Sequence, residues 1–436
     1  MNLKRKIAII TVLIGGLLLL LILICVWAYN SIFAPYFNGR ELPPELREAR
    51  VITGADFLSR SEFYRANKGG RWRDLLDPNK LKSRLDSIAD VSVGQLDGRP
   101  GVDIGLAGRF GLTLLDGQGK VKERITYQFE KGSIALGPVK LEREKNSFSQ
   151  LRVVDIEGDG VCEILGYDGI DGAAIFNHQG RVLLSRGAYD EGSSSIYEVT
   201  AGDLDGDGVL EFIASWGYEP WTGMELFDRF GNSKWRLEEE YKPGECEVVD
   251  VDGDDRAEIV EESSGKLKIR DAQGKVLREV QMPVYLWHLS LCSRPDGSGP
   301  PQNLAVREGS LWLIDLDGKN FSQFAAPLSE IKLEKPRRII EPGIPASSED
   351  YKEQVFRAEG VWVRLKKDQP KYLAVIASFA ALDRSLLYVY DEQGKLVYHE
   401  ILPEDCDAIA KLPSENDSRE DILVSGKKTV WRYAAR

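Results

Sequence analysis

Three short acidic segments carry the densest chemistry in this chain. In the run from Asp203 to Glu211, carboxyls stand at the first, third, fifth and ninth places: Asp203, Asp205, Asp207 and Glu211, around Gly206, Gly208 and Val209. Asp155, Glu157, Asp159 and Glu163 repeat that spacing around Val161. Asp250, Asp252, Asp254 and Glu258 repeat it around Arg256, with Asp255 where the other two have Gly. Carboxylates this close repel one another unless a cation lies between them. Calcium takes six to eight hard oxygen donors, and an acidic loop bent at glycine supplies them. Magnesium dehydrates reluctantly and suits such a loop less well. Asp and Gly also favour plain solvated turns. Yet the first positions, 155, 203 and 250, recur at near-equal steps, which points to a repeated site rather than to three unrelated turns.

The elements that must position these loops repeat as well. An apolar pair, an Asp or Asn, two variable residues, a Gly and a further apolar run form a hairpin signature with Gly at the positive-φ place. Its glycines are Gly119, Gly180, Gly231, Gly274, Gly318 and Gly394. In the acidic copies a strand, the loop and a second strand precede the hairpin, giving about four strands per unit. Units of about 40–50 residues with four strands describe propeller blades. The fold class predicted is therefore an all-β propeller of seven four-stranded blades, with six and eight as the neighbouring counts. The units centre on 90–130, 150–190, 197–241, 244–284, 287–325, 355–402 and 405–436, with a Pro- and charge-rich insertion at 332–354. The last unit shows no fourth strand. A strand donated from before residue 90 would close it and cover an exposed edge.

The acidic loops resemble the FG-GAP repeats of integrin α-subunit propellers and the related VCBS repeats of bacterial surface proteins. The resemblance is carried by the three nine-residue segments. It implies up to three structural Ca²⁺ ions, held by the carboxyls named above and by the backbone carbonyls of Val161, Val209 and Arg256. All three loops depart from the family pattern in having Glu at the ninth place. In the first unit Arg99 stands at the fifth place, where pairing with Asp97 or Asp103 would replace a cation. The seventh unit keeps Glu415, Asp417 and Asp421 without the first ligand, and units five and six carry no such loop.

Ahead of the propeller, Lys4, Arg5 and Lys6 precede the uncharged apolar run from Ile7 to Ala28. At about 1.5 Å per residue this run matches a hydrocarbon core of about 30 Å. Arg40 is the first basic residue beyond it. The bias places the N-terminus in the cytoplasm and the propeller outside, with residues 1–29 as stub and single-pass anchor. A cleaved signal peptide is the rival reading, although its apolar region is usually shorter. Residues 30–88 read as a juxtamembrane stalk, and 89–436 as the propeller.

The net charge of −12 argues against a nucleic-acid partner. Three scattered His (His178, His288 and His399) and five Cys without a CxxC pair give no zinc or redox motif. No serine elbow, H-E-x-x-H or phosphate loop is present. The segment from Trp216 to Gly223 adds a possible contact surface through Trp216, Tyr218 and Trp221, suited to sugar stacking or a protein hot spot; packing of the tryptophans between blades is the rival account. The expectation is a calcium-stabilised, cell-surface propeller that binds a protein or glycan, with a membrane-tethered polysaccharide-acting enzyme as the alternative.

Overall fold

The computed structural model describes residues 3–28, 51–66, 86–99, 101–127, 132–136, 139–143, 147–168, 172–187, 195–217, 222–239, 244–254, 256–263, 265–284, 288–307, 309–327, 355–379, 384–414 and 417–436. It begins with one helix, α1 (Leu3–Ala28), whose side chains are described from 15 to 27. Among these described residues no helix is long and apolar enough to cross a membrane. Thirteen residues rise only about 20 Å, short of a hydrocarbon core of about 30 Å.

The strands form seven blades. β1 (Val51–Thr53) and β2 (Leu58–Arg65) come first in the chain. Blade one is β3 (Ile88–Gly94), β4 (Asp103–Gly108), β5 (Gly111–Asp116) and β6 (Val121–Ile125), followed by a separate hairpin, β7 (Gly132–Leu136) and β8 (Val139–Arg143). Blade two is β9 (Gln150–Val154), β10 (Glu163–Tyr167), β11 (Gly172–Phe176) and β12 (Val182–Gly187). Blade three is β13 (Ser195–Gly202), β14 (Glu211–Gly217), β15 (Gly223–Phe227) and β16 (Ser233–Glu238). Blade four is β17 (Cys246–Val249), β18 (Glu258–Ser263), β19 (Lys266–Arg270) and β20 (Val276–Gln281). Blade five is β21 (Leu291–Cys292), β22 (Gln302–Arg307), β23 (Ser310–Asp315) and β24 (Phe321–Ala325). Blade six is β25 (Val355–Val363), β26 (Tyr372–Phe379), β27 (Arg384–Tyr390) and β28 (Leu396–Ile401), with β1 added outside β28. Blade seven has β29 (Cys406–Pro413), β30 (Glu420–Gly426) and β31 (Thr429–Ala435).

Blade seven takes its fourth strand from β2, which runs antiparallel to β31 from Leu58↔Ala435 to Arg65↔Thr429. The predicted stalk over 30–88 is therefore shorter than the sequence indicated, because residues 51–66 belong to the propeller. The cause is the bare edge of β31, whose backbone groups need a partner.

The middle strands are buried on both faces, as in β14 and β15, because neighbouring blades cover them. The outer strands are more exposed, as in β6 and β16. Core clusters lie between blades rather than within them: Tyr167 and Leu165 of blade two pack with Ile196, Phe212 and Trp216 of blade three.

The hairpin glycines show how the blades are spaced. Each has positive φ, and each lies against the outer strand of the blade before it. Gly180 meets Ile125, Gly231 meets Leu184, Gly274 meets Trp235, Gly318 meets Val280 and Gly394 meets Phe324. Gly119 of blade one meets Phe63 in β2, so the same contact recurs where the ring closes. A side chain at these places would meet both backbone strain and its neighbour.

Acidic loops and the axial channel

The acidic loops join the first and second strands of their blades, at one face of the disc. They stack on one another through backbone bonds. Cys162 N–H donates to the Gln95 carbonyl, Leu210 to Ile156 and Ala257 to Asp203, at 2.7, 3.1 and 2.8 Å. Each loop is thus held by the loop of the preceding blade.

The first and ninth residues build the loop. Asp203 accepts the N–H groups of Gly206, Asp207 and Gly208. Asp155 accepts those of Asp159 and Gly160, and Asp250 those of Asp252 and Gly253. The ninth-place carboxyl accepts the N–H of the second residue in every copy: Glu163 from Ile156, Glu211 from Leu204 and Glu258 from Val251. Asp103 does the same with Leu96 in blade one. Glu at that place reaches the same N–H that Asp103 reaches in blade one, so the longer side chain keeps the same turn-closing bond. Burial, with the neighbouring acids, holds Glu163 and Glu258 above the usual carboxyl range. Both are groups a cation would relieve.

The loops differ in what faces them. Lys234 donates to Glu211 at 2.6 Å and to Asp205 at 3.2 Å, so its ammonium lies between the third and ninth places. Lys122 donates in the same way to Asp103 at 2.6 Å and Asp97 at 3.0 Å. In blade one Arg99 pairs with Asp97 at 3.8 Å, as the sequence indicated, though it stays largely exposed. Lys122, which the sequence reading did not name, reaches both Asp97 and Asp103 and is the main group holding Asp97 below its ordinary range, with Arg99 adding to it. Oxygens of Asp203, Asp205 and Glu211 lie within 4.8 Å of one another, as do those of Asp250, Asp252 and Asp254. The donor set of blade four, with the carbonyl of Arg256, fits a calcium ion, which bound there would supply positive charge to the loop; no three acids of blade two, around Val161, converge to that distance. In blade three Lys234 competes for the place of the ion, although Asp207 and the carbonyl of Val209 complete the same set. In blade seven, Asp417 pairs with Arg419 and Asp421 with Arg432, and Glu415 lies outside the described residues.

Trp216 does not line a surface. It is fully buried between blades two and three, in one cluster with Ala173 and Ala214. Of the contact surface read from the sequence, Tyr218 and Trp221 lie outside the described residues. The five cysteines are free.

A second site was not foreseen. The innermost strands surround an axial channel of about 240 Å³. A polar residue between two apolar ones stands on or just before each inner strand: Asp90, Arg152, Glu198, Glu247, Ser290, Glu359 and Asp407, of which all but Asp407 line the channel. Arg152 pairs with Glu247, which also accepts the Thr200 hydroxyl at 3.1 Å. His288 lies between Glu245 and Glu359, and Arg357 pairs with Glu359. Burial disfavours the charge of His288, but its two acidic neighbours outweigh it and raise the imidazole to about 9. Burial would raise Glu359, but Arg357 and His288 bring it down to about 2. Asp90 is pushed up to about 7 by burial and by Glu359. Glu198 is pushed up to about 8 by burial, then by Glu245 and Glu247. The sequence signal was present, one polar residue at the same place in every blade, but only strand register shows that these places share an axis.

No protein-family model and no curated protein matches this sequence. Solved structures do match by shape. A streptogramin B lyase superposes with a TM-score of 0.52 at 9% identity, over 87% of this chain and 98% of that one. The BBS1N chain of a complex with ARL6DN, soaked with mercury, gives a TM-score of 0.47 at 12% identity, over 79% and 91%. The Neurospora crassa Pan2 WD40 domain gives 0.47 at 9% identity, over 88% and 96%. The first likeness agrees with the strand topology: the chain is a seven-bladed β-propeller.

Proposed function

We propose that this chain is a membrane-anchored, extracytoplasmic propeller, stabilised by calcium at its acidic loops, that binds a protein or glycan ligand. The observation that carries the reading is the helix ahead of the disc. Ten large apolar side chains between Leu17 and Trp27 are 50–65% exposed. A soluble surface does not display such a patch without an apolar partner. The backbone helix extends to Leu3, and the sequence from Ile7 to Ala28 is uncharged, which supports a bilayer as that partner. The basic N-terminal flank supports a cytoplasmic N-terminus. The converging carboxyls of blade four, and the same acidic spacing repeated in blades two and three, support calcium. The disc itself supports a binding role, since propellers offer broad loop-built faces rather than one preset chemistry.

The test is fractionation of the full chain expressed in cells. It should pellet with membranes, resist alkaline extraction, and expose the propeller to protease added from outside. Release by alkaline washing would count against the anchor, and protection from external protease against the orientation.

A further inference from the structure

Among the described residues that line the axial channel, one acidic group accepts no hydrogen bond. The Glu198 carboxyl is 7% exposed and lines the channel, yet among the described residues it has no hydrogen-bond partner. A buried acid in that state is costly unless a proton or another cation satisfies it. Of the charges acting on it, Glu245 and Glu247 oppose its ionisation most, while Arg152 and His288 favour it less strongly. Lining the channel, five carboxyls (Asp90, Glu198, Glu245, Glu247 and Glu359) face only three cationic groups (Arg152, His288 and Arg357). The cations are already engaged: Arg152 by Glu247, His288 by Glu245, and Arg357 by Glu359. The other acids are engaged as well, Asp90 by the N–H groups of Val91 and Leu151. Of these five acids, Glu198 alone accepts no hydrogen bond among the described residues.

We propose that the axial channel binds an organic cation, a guanidinium or primary ammonium group, which donates hydrogen bonds to Glu198 and shares the field of Glu245 and Glu247. A bare metal ion fits less well. Among the described residues, no three carboxyls of the channel converge within 4.8 Å, as they do in two of the acidic loops. Spread acceptors match a ligand with several N–H donors pointing different ways. The volume, about 240 Å³, suits a small amine or the tip of one side chain. Glu245 is 38% exposed and marks the solvent end, with Glu198 deeper. The site stands apart from the calcium reading, because the acidic loops lie at the other ends of the inner strands.

Proton linkage gives the site a second signature. Glu198 is protonated at neutral pH in the empty channel, since burial holds it up at about 8. The groups facing it include Arg152 and Tyr167 of blade two, Glu245 and Glu247 of blade four, and His288 ahead of β21. Asp90, Arg357, Glu359 and Asp407 complete the ring. A bound cation favours the carboxylate, so binding expels the proton.

The experiment is calorimetric titration of the full chain in mild detergent, with calcium present throughout. The probes are methylguanidinium, methylammonium and a short arginine-bearing peptide, each at constant ionic strength in two buffers of different ionisation heat. At least one probe should bind and release about one proton at neutral pH. Glu198→Gln should weaken that binding about tenfold or more. Binding by the small ions assigns a free amine or guanidine as ligand; binding by the peptide alone assigns a side chain of a protein partner. The proposal fails if none of the probes binds at millimolar concentration, if binding proceeds without proton release, or if Glu198→Gln binds as the parent does. The proton count uses the unmodified chain, so a poorly folding variant does not block the test.

Discussion

At the scale of single residues, the acidic loops divide into those with a built-in cation and those without. Lys122 and Lys234 stand three residues after hairpin glycines Gly119 and Gly231. At the same offset from Gly180 and Gly274 stand Leu183 and Leu277, 53% and 54% exposed. A leucine there offers no charge to the acids of blades two and four. Calcium should therefore raise the melting temperature by several degrees, each site adding about 1.4 kcal/mol at tenfold excess over Kd. Asp250→Asn with Asp252→Asn should remove part of that rise. Lys234→Leu should add one calcium to the number bound at equilibrium, and an unchanged count would show that Lys234 does not hold the site. In the channel, Glu198 has its folded pKa raised to about 8. The folded state then binds more protons than the unfolded state from the ordinary carboxyl range up to about 8. Stability is present at low pH and falls through that window by about 1.4 kcal/mol per pH unit for one group. His288, raised to about 9, contributes fully below its unfolded value and loses that contribution as pH rises through 9. Melting temperatures should thus decline from neutral to alkaline pH, and Glu198→Gln should flatten the part below pH 8.

At the scale of the element, the repeated hairpin does two things with one glycine. It supplies positive φ in the turn, and it leaves room for the outer strand of the preceding blade. Gly231 has φ 81° and lies against Leu184. Gly231→Ala should cost about 2–4 kcal/mol, the sum of left-handed strain and overpacking. Gly297 has φ 75° with open space around it. Gly297→Ala should cost only about 1–2 kcal/mol, from strain alone. Equal urea midpoints for the two variants would mean that the inter-blade contact carries no energy. The acidic loop is the matching device at the same end of the blade, tied to its neighbour by the Leu210 and Ala257 backbone bonds.

At the scale of the whole molecule, the ring is closed by the two ends of the chain. β2 completes blade seven, buries Leu58 and brings Phe63 against the blade-one hairpin. Leu58→Ala should destabilise the propeller by about 2–5 kcal/mol through the cavity it leaves. A chain begun at residue 67 should lose far more, because the edge of β31 is then bare. Chemical denaturation checks both; a truncated chain with the parent midpoint would show that β2 does not hold the ring.

Much of this was written in the order of residues. The seven units, their hairpin glycines and the acidic loops are local patterns, readable because a turn needs Gly and a cation loop needs closely spaced carboxyls. The need for a donated strand was legible from the missing partner in the last unit, while its identity as Leu58–Arg65 was not, since a strand that pairs across almost the whole chain leaves no local mark. The same holds for Lys122 beside Arg99, for burial of Trp216 and for Glu198 in the channel. Each depends on which residues of distant strands come to face one another. Sequence determined the blades; only closure of the ring decided what stands at its axis, because seven residues from seven distant segments share that space once the inner strands lie side by side.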